Sequence, residues 1–316
     1  MVYNDFLDSV GNTPLIKLKL QGLGHINLFA KLEGCNPTGS VKDRAAQFIL
    51  SKILETGEID KETLIIESSS GNFGISLSSY CKKLGLKFCC IIDKNISPAN
   101  ETMIDNLSYQ VIKITELDEN GGYLLNRIRK VKRLLAKTPN AYWVNQYGNP
   151  YNAMAYYNTL GSEICNAIPK IDYIFIGVSS GGTITGVSQK IKELSPETKV
   201  MAVDTEGSVI FGGKPKKRYI PGIGSSMVPC ILKDSKIDEI VTVSEKAAIE
   251  VCRSFVKNHS LFIGGSSGSV IAAIYSYFKD KKFDVPPTVV TIFADQGSRY
   301  LSTIYNKDWC KEKFNI

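Results

Sequence analysis

Short runs of β-branched and aromatic residues alternate with amphipathic stretches along most of this chain, and glycine- and hydroxyl-rich turns join several of them. LIIE (64–67) is followed by SSSGN and the helical pattern ISLSSYCKKLGL. KFCCIID (87–93) and QVIKIT (110–115) have the composition of further strands. The pattern resumes with YIFIGV (173–178), SSGGT and a helix around VSQKIKEL, then KVMAVDT (199–205) and EIVTV (239–243). Ser244 is placed to cap the helix that begins EKAAIEVC, and VVTIFAD (289–295) has the profile of a last buried strand. A strand that leads into a helix and then into another strand needs a crossover, which predicts parallel sheets covered on both faces. The expected fold class is therefore α/β. The length of 316 residues accommodates two such units packed together. No internal repeat or low-complexity linker interrupts the pattern.

Several function classes fall away early. No apolar run reaches the roughly 18 residues of a membrane span. The opening MVYNDFLDSV lacks a basic segment followed by an apolar one, so a cytoplasmic protein with no membrane partner is expected. The formal net charge is +7, from 38 basic and 31 acidic residues, but the basic residues are scattered apart from Lys214, Lys216, Lys217 and Arg218. That short run is an ordinary solvated loop or a field that attracts anionic substrates; without a basic stripe interleaved with aromatics, no nucleic-acid partner is expected. The eight cysteines form no CxxC pair, which predicts free, mostly buried thiols and no metal site. Cys89 and Cys90 should point to opposite faces of a strand. His25 and His259 lie near no serine or cysteine motif, so a histidine triad is unsupported and another group must move protons.

Four turns carry the chemistry. NPTGSVKDRAA (36–46) places Lys42 early in a helix expected to start near Ser40. A lysine at the positive end of a helix dipole is not where a structural lysine is favoured, and partial burial would make its amine nucleophilic. Alone, it could equally be a surface lysine. In ESSSGNFG (67–74), Ser69, Ser70, Gly71 and Asn72 could wrap a carboxylate, or simply cap a helix. In GVSSGGTITG (177–186), Ser179, Ser180, Gly181, Gly182 and Thr183 offer consecutive N–H groups and hydroxyls to a phosphate. This turn has neither the lysine of a P-loop nor a GxGxxG spacing, so ATP and NAD fit poorly. GGSSGSVIAA (264–273) lets a flat ring approach the backbone, or lets helices pack closely. One such turn is weak evidence; three in one chain, with a lysine in a fourth glycine-containing turn, are harder to dismiss as plain turns.

In this order, from GNTPL (11–15) to DQGSRYLS (295–302), the elements resemble the fold-type II pyridoxal 5′-phosphate (PLP) enzymes of the cysteine synthase and cystathionine β-synthase family. The resemblance implies two three-layer α/β domains with mainly parallel twisted sheets and the PLP cleft between them, as in the tryptophan synthase β fold. Residues 1–40 plus 147–316 would form the larger, phosphate-binding domain, and residues 41–146 the smaller, substrate-binding one. It implies that Lys42 carries the cofactor and is the catalytic base, that Asn72 bonds the ring hydroxyl, and that Ser179 to Thr183 hold the phosphate. Ser266 would face the ring nitrogen; a serine there, rather than an acid, leaves that nitrogen unprotonated and favours β-elimination. Ser69, Ser70, Gly71, Asn72 and Gln146 would bind the substrate carboxylate. A homodimer is also implied.

DENGGYLLNRIRKV (118–131), AYWVNQYGNP (141–150) and EGSVIFGGKPKKRYIPGIGSSMVP (206–229) are similar to one branch of that family, the N-(2-amino-2-carboxyethyl)-L-glutamate synthases of 2,3-diaminopropionate and siderophore biosynthesis. That branch joins O-phospho-L-serine to L-glutamate through an α-aminoacrylate. The resemblance implies that Arg127, Tyr147 and Ser179 help select the substrates. The chain departs from typical cysteine synthases at Phe73, where they have threonine, and at Ser179, where they have glycine; Ser226 stands where cystathionine β-synthases carry an aspartate. Phe73 and Arg127 favour glutamate as the incoming nucleophile. The alternatives are an O-acetylserine or O-phosphoserine sulfhydrylase, a cysteine β-lyase, and a non-catalytic phosphate-binding protein.

Overall fold

The computed structural model describes residues 2–119 and 121–316. Ten strands form two sheets. The first has six strands: β1 (Leu15–Leu18), β2 (Asn27–Leu32), β10 (Thr288–Phe293), β7 (Tyr173–Gly177), β8 (Lys199–Thr205) and β9 (Glu239–Val243), in that spatial order. Only the β1–β2 pair is antiparallel. The second is wholly parallel, in the order β5 (Gln110–Ile114), β4 (Lys87–Asp93), β3 (Leu64–Ser68), β6 (Ala141–Trp143). All four of its strands fall between residues 41 and 146.

Helices connect the parallel strands, except between β8 and β9, where the chain carries only a short 3-10 turn (Cys230–Asp234): α1 (Lys42–Glu55), α2 (Asn72–Leu84), α3 (Pro98–Leu107) and α4 (Leu124–Lys137), then α5 (Pro150–Tyr156), α6 (Ser162–Ala167), α7 (Gly182–Leu194), α8 (Glu245–His259) and α9 (Gly265–Phe278), with α10 (Lys307–Phe314) closing the described chain. Burial explains the apolar runs. Six of the seven residues of β8 are buried, as expected of a central strand with helices on both faces. In β4, Cys90 and Ile92 enter the main core while Cys89 and Ile91 face a small cluster with Val131 of α4. The two adjacent cysteines therefore point to opposite faces, as strand alternation requires. All eight thiols are free, but Cys35 and Cys230 are exposed rather than buried. Ser244 caps α8 by accepting from the Ala247 amide at 3.2 Å. No helix among the described residues is long and apolar enough to cross a membrane.

Three strands escape the apolar pattern. β1 and β2 contain Lys17 and Lys31, and β6 has three residues. Lys31 is nevertheless buried, because its ammonium bonds the Thr13 carbonyl and lies 2.7 Å from Glu163. Beside it the fully buried Arg44 joins Glu33 (Nε–Oε2 2.6 Å, Nη2–Oε1 2.8 Å) to Glu163 (Nη1–Oε1 2.6 Å). Burial would raise the Glu163 carboxyl, yet Arg44 and Lys31 hold it down at about 2. This network anchors α1 to β2 and α6 on the side of α1 away from the cleft described next. α1 itself starts at Lys42 rather than near Ser40. The Val41 amide bonds the Ala294 carbonyl at 2.8 Å, which holds residues 40–41 against the end of β10 and delays the helix.

Candidate active site

Four helices, α1, α2, α7 and α9, begin at one cleft, which is lined by Lys42, Asn72, Thr183 and Ser266 from their first turns. Unpaired N–H groups at a helix start favour anions. About 610 Å³ of protein-free space, partly open to solvent, lies here. Ser179, Ser180 and Gly181 complete one wall.

That wall fits a phosphate. The backbone N–H groups of Ser179, Ser180, Gly181, Gly182 and Thr183 donate to no acceptor among the described residues; the pairing resumes with Thr185, which donates to Gly181. Gly181 takes φ +88, and a Cβ there would lie 3.0 Å from Ile231 Cγ2, so the turn demands glycine. Gly182 is absent from the cleft lining; a Cβ there would fall 2.3 Å from Asn152 Oδ1. Its glycine therefore lets α7 start against Asn152, while its N–H remains available. Five successive free donors in a curled turn make an anion nest.

Lys42 extends across the cleft toward this wall, with Nζ 3.4 Å from Ser180 Oγ. Burial pushes its amine down to about 8, and the negative charge of Asp295 works against that fall. An amine in this range is uncharged in an appreciable fraction of molecules near neutral pH. Among the described residues no cluster of histidine, cysteine or carboxylate side chains is arranged to hold a metal ion.

Asn72 opens α2 and is held from both sides. Its Oδ1 accepts from Arg299 Nη1 at 2.7 Å and its Nδ2 donates to Asp295 Oδ2 at 2.7 Å. Asp295 sits two residues past β10, is buried, and also accepts from the Tyr300 hydroxyl at 2.7 Å. It lines the cleft and was absent from the predicted site residues. A lone aspartate after a buried strand looks like a turn residue; its position at the carboxyl ends of parallel strands, where α/β sites gather, was the available signal.

The predicted carboxylate loop is built but its side chains are engaged within the protein. Ser69 Oγ accepts from the Gly74 amide (3.0 Å) and the Gly71 amide (3.4 Å). Ser70 Oγ donates to Asp93 Oδ2 (2.8 Å) and accepts from Arg127 Nη1 (3.0 Å). Gln146 is tied beneath the loop, its Nε2 donating to the Ser68 carbonyl at 3.2 Å and its amide to Glu67 Oε2 at 3.1 Å. Burial pushes the Glu67 carboxyl up to about 7. The backbone amides of Ser70, Asn72 and Phe73 remain without protein acceptors. A carboxylate would thus meet amides more than hydroxyls. None of Ser69, Ser70, Gly71 and Gln146 lines the Lys42 cleft itself, and Tyr147 and Arg127 also stand outside it.

Arg127 is nonetheless not a surface arginine. Its side chain is 12% exposed, Nη1 lies 3.2 Å from Asp93 Oδ2, and its buried Nε has no partner. The Tyr147 phenol, raised by burial, lies within electrostatic reach of both Arg127 and Arg218. Arg218 Nη2 donates to Ser226 Oγ at 3.1 Å, so the position where the relatives' aspartate was noted holds a serine bonded to a cation. Ser179 Oγ turns to the Gly224 carbonyl at 3.1 Å, in the same segment. Phe73 is buried in the main core and does not reach the cleft, so the preference for glutamate drawn from it is withdrawn.

Known proteins share this arrangement. The sequence profile of the family described as "Pyridoxal-phosphate dependent enzyme" matches residues 6–295. The O-acetylserine dependent cystathionine beta-synthase from Helicobacter pylori superposes with a TM-score of 0.89 at 32% identity, covering 97% of this chain and 100% of that one. An O-ureido-L-serine synthase gives 0.88 at 27% identity, with 97% and 96% covered. O-Acetyl Serine Sulfhydrylase isoform 3 from Entamoeba histolytica gives 0.88 at 29%, with 96% and 92% covered.

Proposed function

This chain belongs to the family of pyridoxal-phosphate dependent enzymes, and from that premise we propose that it carries out β-replacement on O-phospho-L-serine with L-glutamate as the incoming amine, releasing phosphate and N-(2-amino-2-carboxyethyl)-L-glutamate. The observation that carries the substrate assignment is the largely enclosed arginine that α4 sets against the carboxylate loop: Arg127 touches Ser70 and keeps an unpartnered Nε. Such a guanidinium suits a second anionic group on a substrate. Arg218, also within electrostatic reach of Tyr147, adds to the positive field.

The residues present fit the cofactor. Lys42 would hold its aldehyde, the amides of Ser179 to Thr183 its phosphate, and Ser266 would face its ring nitrogen. Bound there, PLP supplies an electron sink for the bonds at the substrate α-carbon. The amides of Ser70, Asn72 and Phe73 bind the substrate carboxylate and fix its orientation. Lys42 Nζ, partly uncharged near neutral pH, takes the α-proton and later returns it. Positioned acid–base help of this kind is worth roughly 100- to 10,000-fold. One amine serving both transfers suits a cleft without histidine. The division into residues 1–40 plus 147–316 and residues 41–146, and a homodimer, belong to the same reading; light scattering checks the second.

A sulfhydrylase is the competing reading, favoured by likeness to a protein named for that activity. The test is a second-substrate screen. Purified protein is mixed with O-phospho-L-serine or O-acetyl-L-serine, then with L-glutamate or sulfide, and products are identified by mass. Glutamate conjugate and phosphate support the proposal; cysteine formed from sulfide, with glutamate inert, overturns it.

A further inference from the structure

A run of four side chains crosses the cleft floor: Arg299, Asn72, Asp295 and Tyr300. An asparagine amide has one acceptor end and one donor end, and which is which depends on its neighbours. Here the neighbours leave no choice. Arg299 can only donate, so the oxygen of Asn72 faces it at 2.7 Å. Asp295 accepts on the other side, again at 2.7 Å. Arg299 also reaches the Thr38 carbonyl, which fixes the guanidinium in place. The NH₂ of Asn72 spends one hydrogen on Asp295 and keeps the other, without a protein acceptor, at the cleft it lines.

Asp295 is placed with equal care. Two donors, Asn72 and the Tyr300 hydroxyl, share its Oδ2, while its Oδ1 is buried without any partner. Gly264 makes room for that oxygen, since a Cβ at 264 would lie 1.7 Å from it. A buried carboxylate oxygen with no donor is costly unless something else answers its charge. Lys42 is the nearby cation that lines the same space.

We propose that Asp295 is the positioning residue of this cleft: with Arg299 it fixes Asn72 as a donor toward the bound cofactor, and its charge favours a proton on the Lys42 nitrogen while that nitrogen is bonded to the cofactor, before the amine is freed to act as base. This rests on the reading of Lys42 as the cofactor-holding residue. The other titratable groups facing Asp295 are Arg299 and Tyr300 beyond β10, Tyr305, and Cys252 of α8. Burial leaves Tyr300, Tyr305 and Cys252 as neutral donors; it also raises the Asp295 carboxyl, and the hydrogen bonds from Asn72 and Tyr300 with the charges of Arg299 and Lys42 pull the other way, toward the ionised form.

The test is made on the holoenzyme. In Asp295→Asn the visible absorption band should titrate at lower pH, by about one unit or more, because an opposite charge has been lost beside the nitrogen. In a separate arm, Asn72→Ala and Arg299→Ala should each loosen PLP by about tenfold, the size of one charge-assisted hydrogen bond. The double variant should be no looser than Asn72→Ala, since Arg299 acts through Asn72. An unchanged midpoint in Asp295→Asn, or additive losses in the Arg299 and Asn72 pair, overturns the proposal. The second arm decides alone should Asp295→Asn not fold. A visible band that survives Lys42→Ala sinks the underlying reading instead, and is seen before either arm begins.

Discussion

Lys42 should cost the cofactor-free protein stability, and by an amount that pH can erase. Burial lowers its amine from the ordinary 10.5 of a lysine to about 8 in the folded chain, while the unfolded chain keeps the ordinary value. Below pH 8 both states are protonated, and the full penalty of holding a buried ammonium applies. Between pH 8 and 10.5 the folded state gives up its proton and the unfolded state does not, so stability rises with pH until the penalty has gone. A fall of this size corresponds to about 3 kcal/mol at pH 7, and to about 1 kcal/mol at pH 9.5. Lys42 is partly open to the cleft, so solvent trims the first figure toward about 2 kcal/mol. Lys42→Met keeps the stem and removes the charge. Urea unfolding of the two cofactor-free proteins at pH 7 and pH 9.5 reads the effect. The variant should be the more stable at pH 7, by about 2 kcal/mol, and the gap should shrink to about 1 kcal/mol at pH 9.5. A gap that is absent, or that stays constant with pH, refutes the claim that the cleft strips water from this amine.

Other consequences are simpler. Gly181→Ala forces a side chain into φ +88 and against Ile231; it should weaken PLP retention at least about tenfold, read by dialysis, with a stability loss of about 1 kcal/mol. Arg44→Ala strands two buried or half-buried carboxylates, Glu33 and Glu163; unfolding should show a loss of about 3–5 kcal/mol, and a loss under about 1 kcal/mol would mean the network is idle. Arg127→Ala should raise the KM for the anionic second substrate far more than it lowers kcat, whereas a structural arginine would lower both together. In native protein a thiol reagent should reach Cys35 and Cys230 quickly and leave the buried Cys81, Cys89, Cys90, Cys252 and Cys310 untouched until denaturant is added.

Strands covered on both faces were the legible part of the fold. β4 and β8 are near-continuous apolar runs because helices press on both of their sides. β1 and β2 were not legible, because the polarity of Lys17 and Lys31 breaks the pattern, and the partner that makes Lys31 tolerable, Glu163, lies more than a hundred residues away. At the site, the turns before α2, α7 and α9 announced themselves by glycine and serine, small residues that let a ligand approach the amides every helix start leaves bare. The side-chain directions were hidden. Nothing local says that Ser70 turns to Asp93 and Arg127, or that Phe73 goes into the core.

The same distinction explains why the cofactor half of the site is easier to assign than the substrate half. A phosphate nest needs backbone amides, and residues 179–183 supply them whatever their side chains do. Selection of a second substrate needs side chains whose partners come from distant parts of the chain: Arg127 on α4 against Ser70 and Asp93, and Arg218 against Ser226. Proteins named for different activities superpose on this chain equally well, at TM-scores of 0.88 to 0.89. On the proposed reading, the backbone fixes what the cleft holds, and the choice of nucleophile falls to the few charged side chains around Tyr147. If exchanging Arg127 and Arg218 for neutral residues left the preference between glutamate and sulfide unaltered, that division of labour between backbone and side chains would be wrong for this protein.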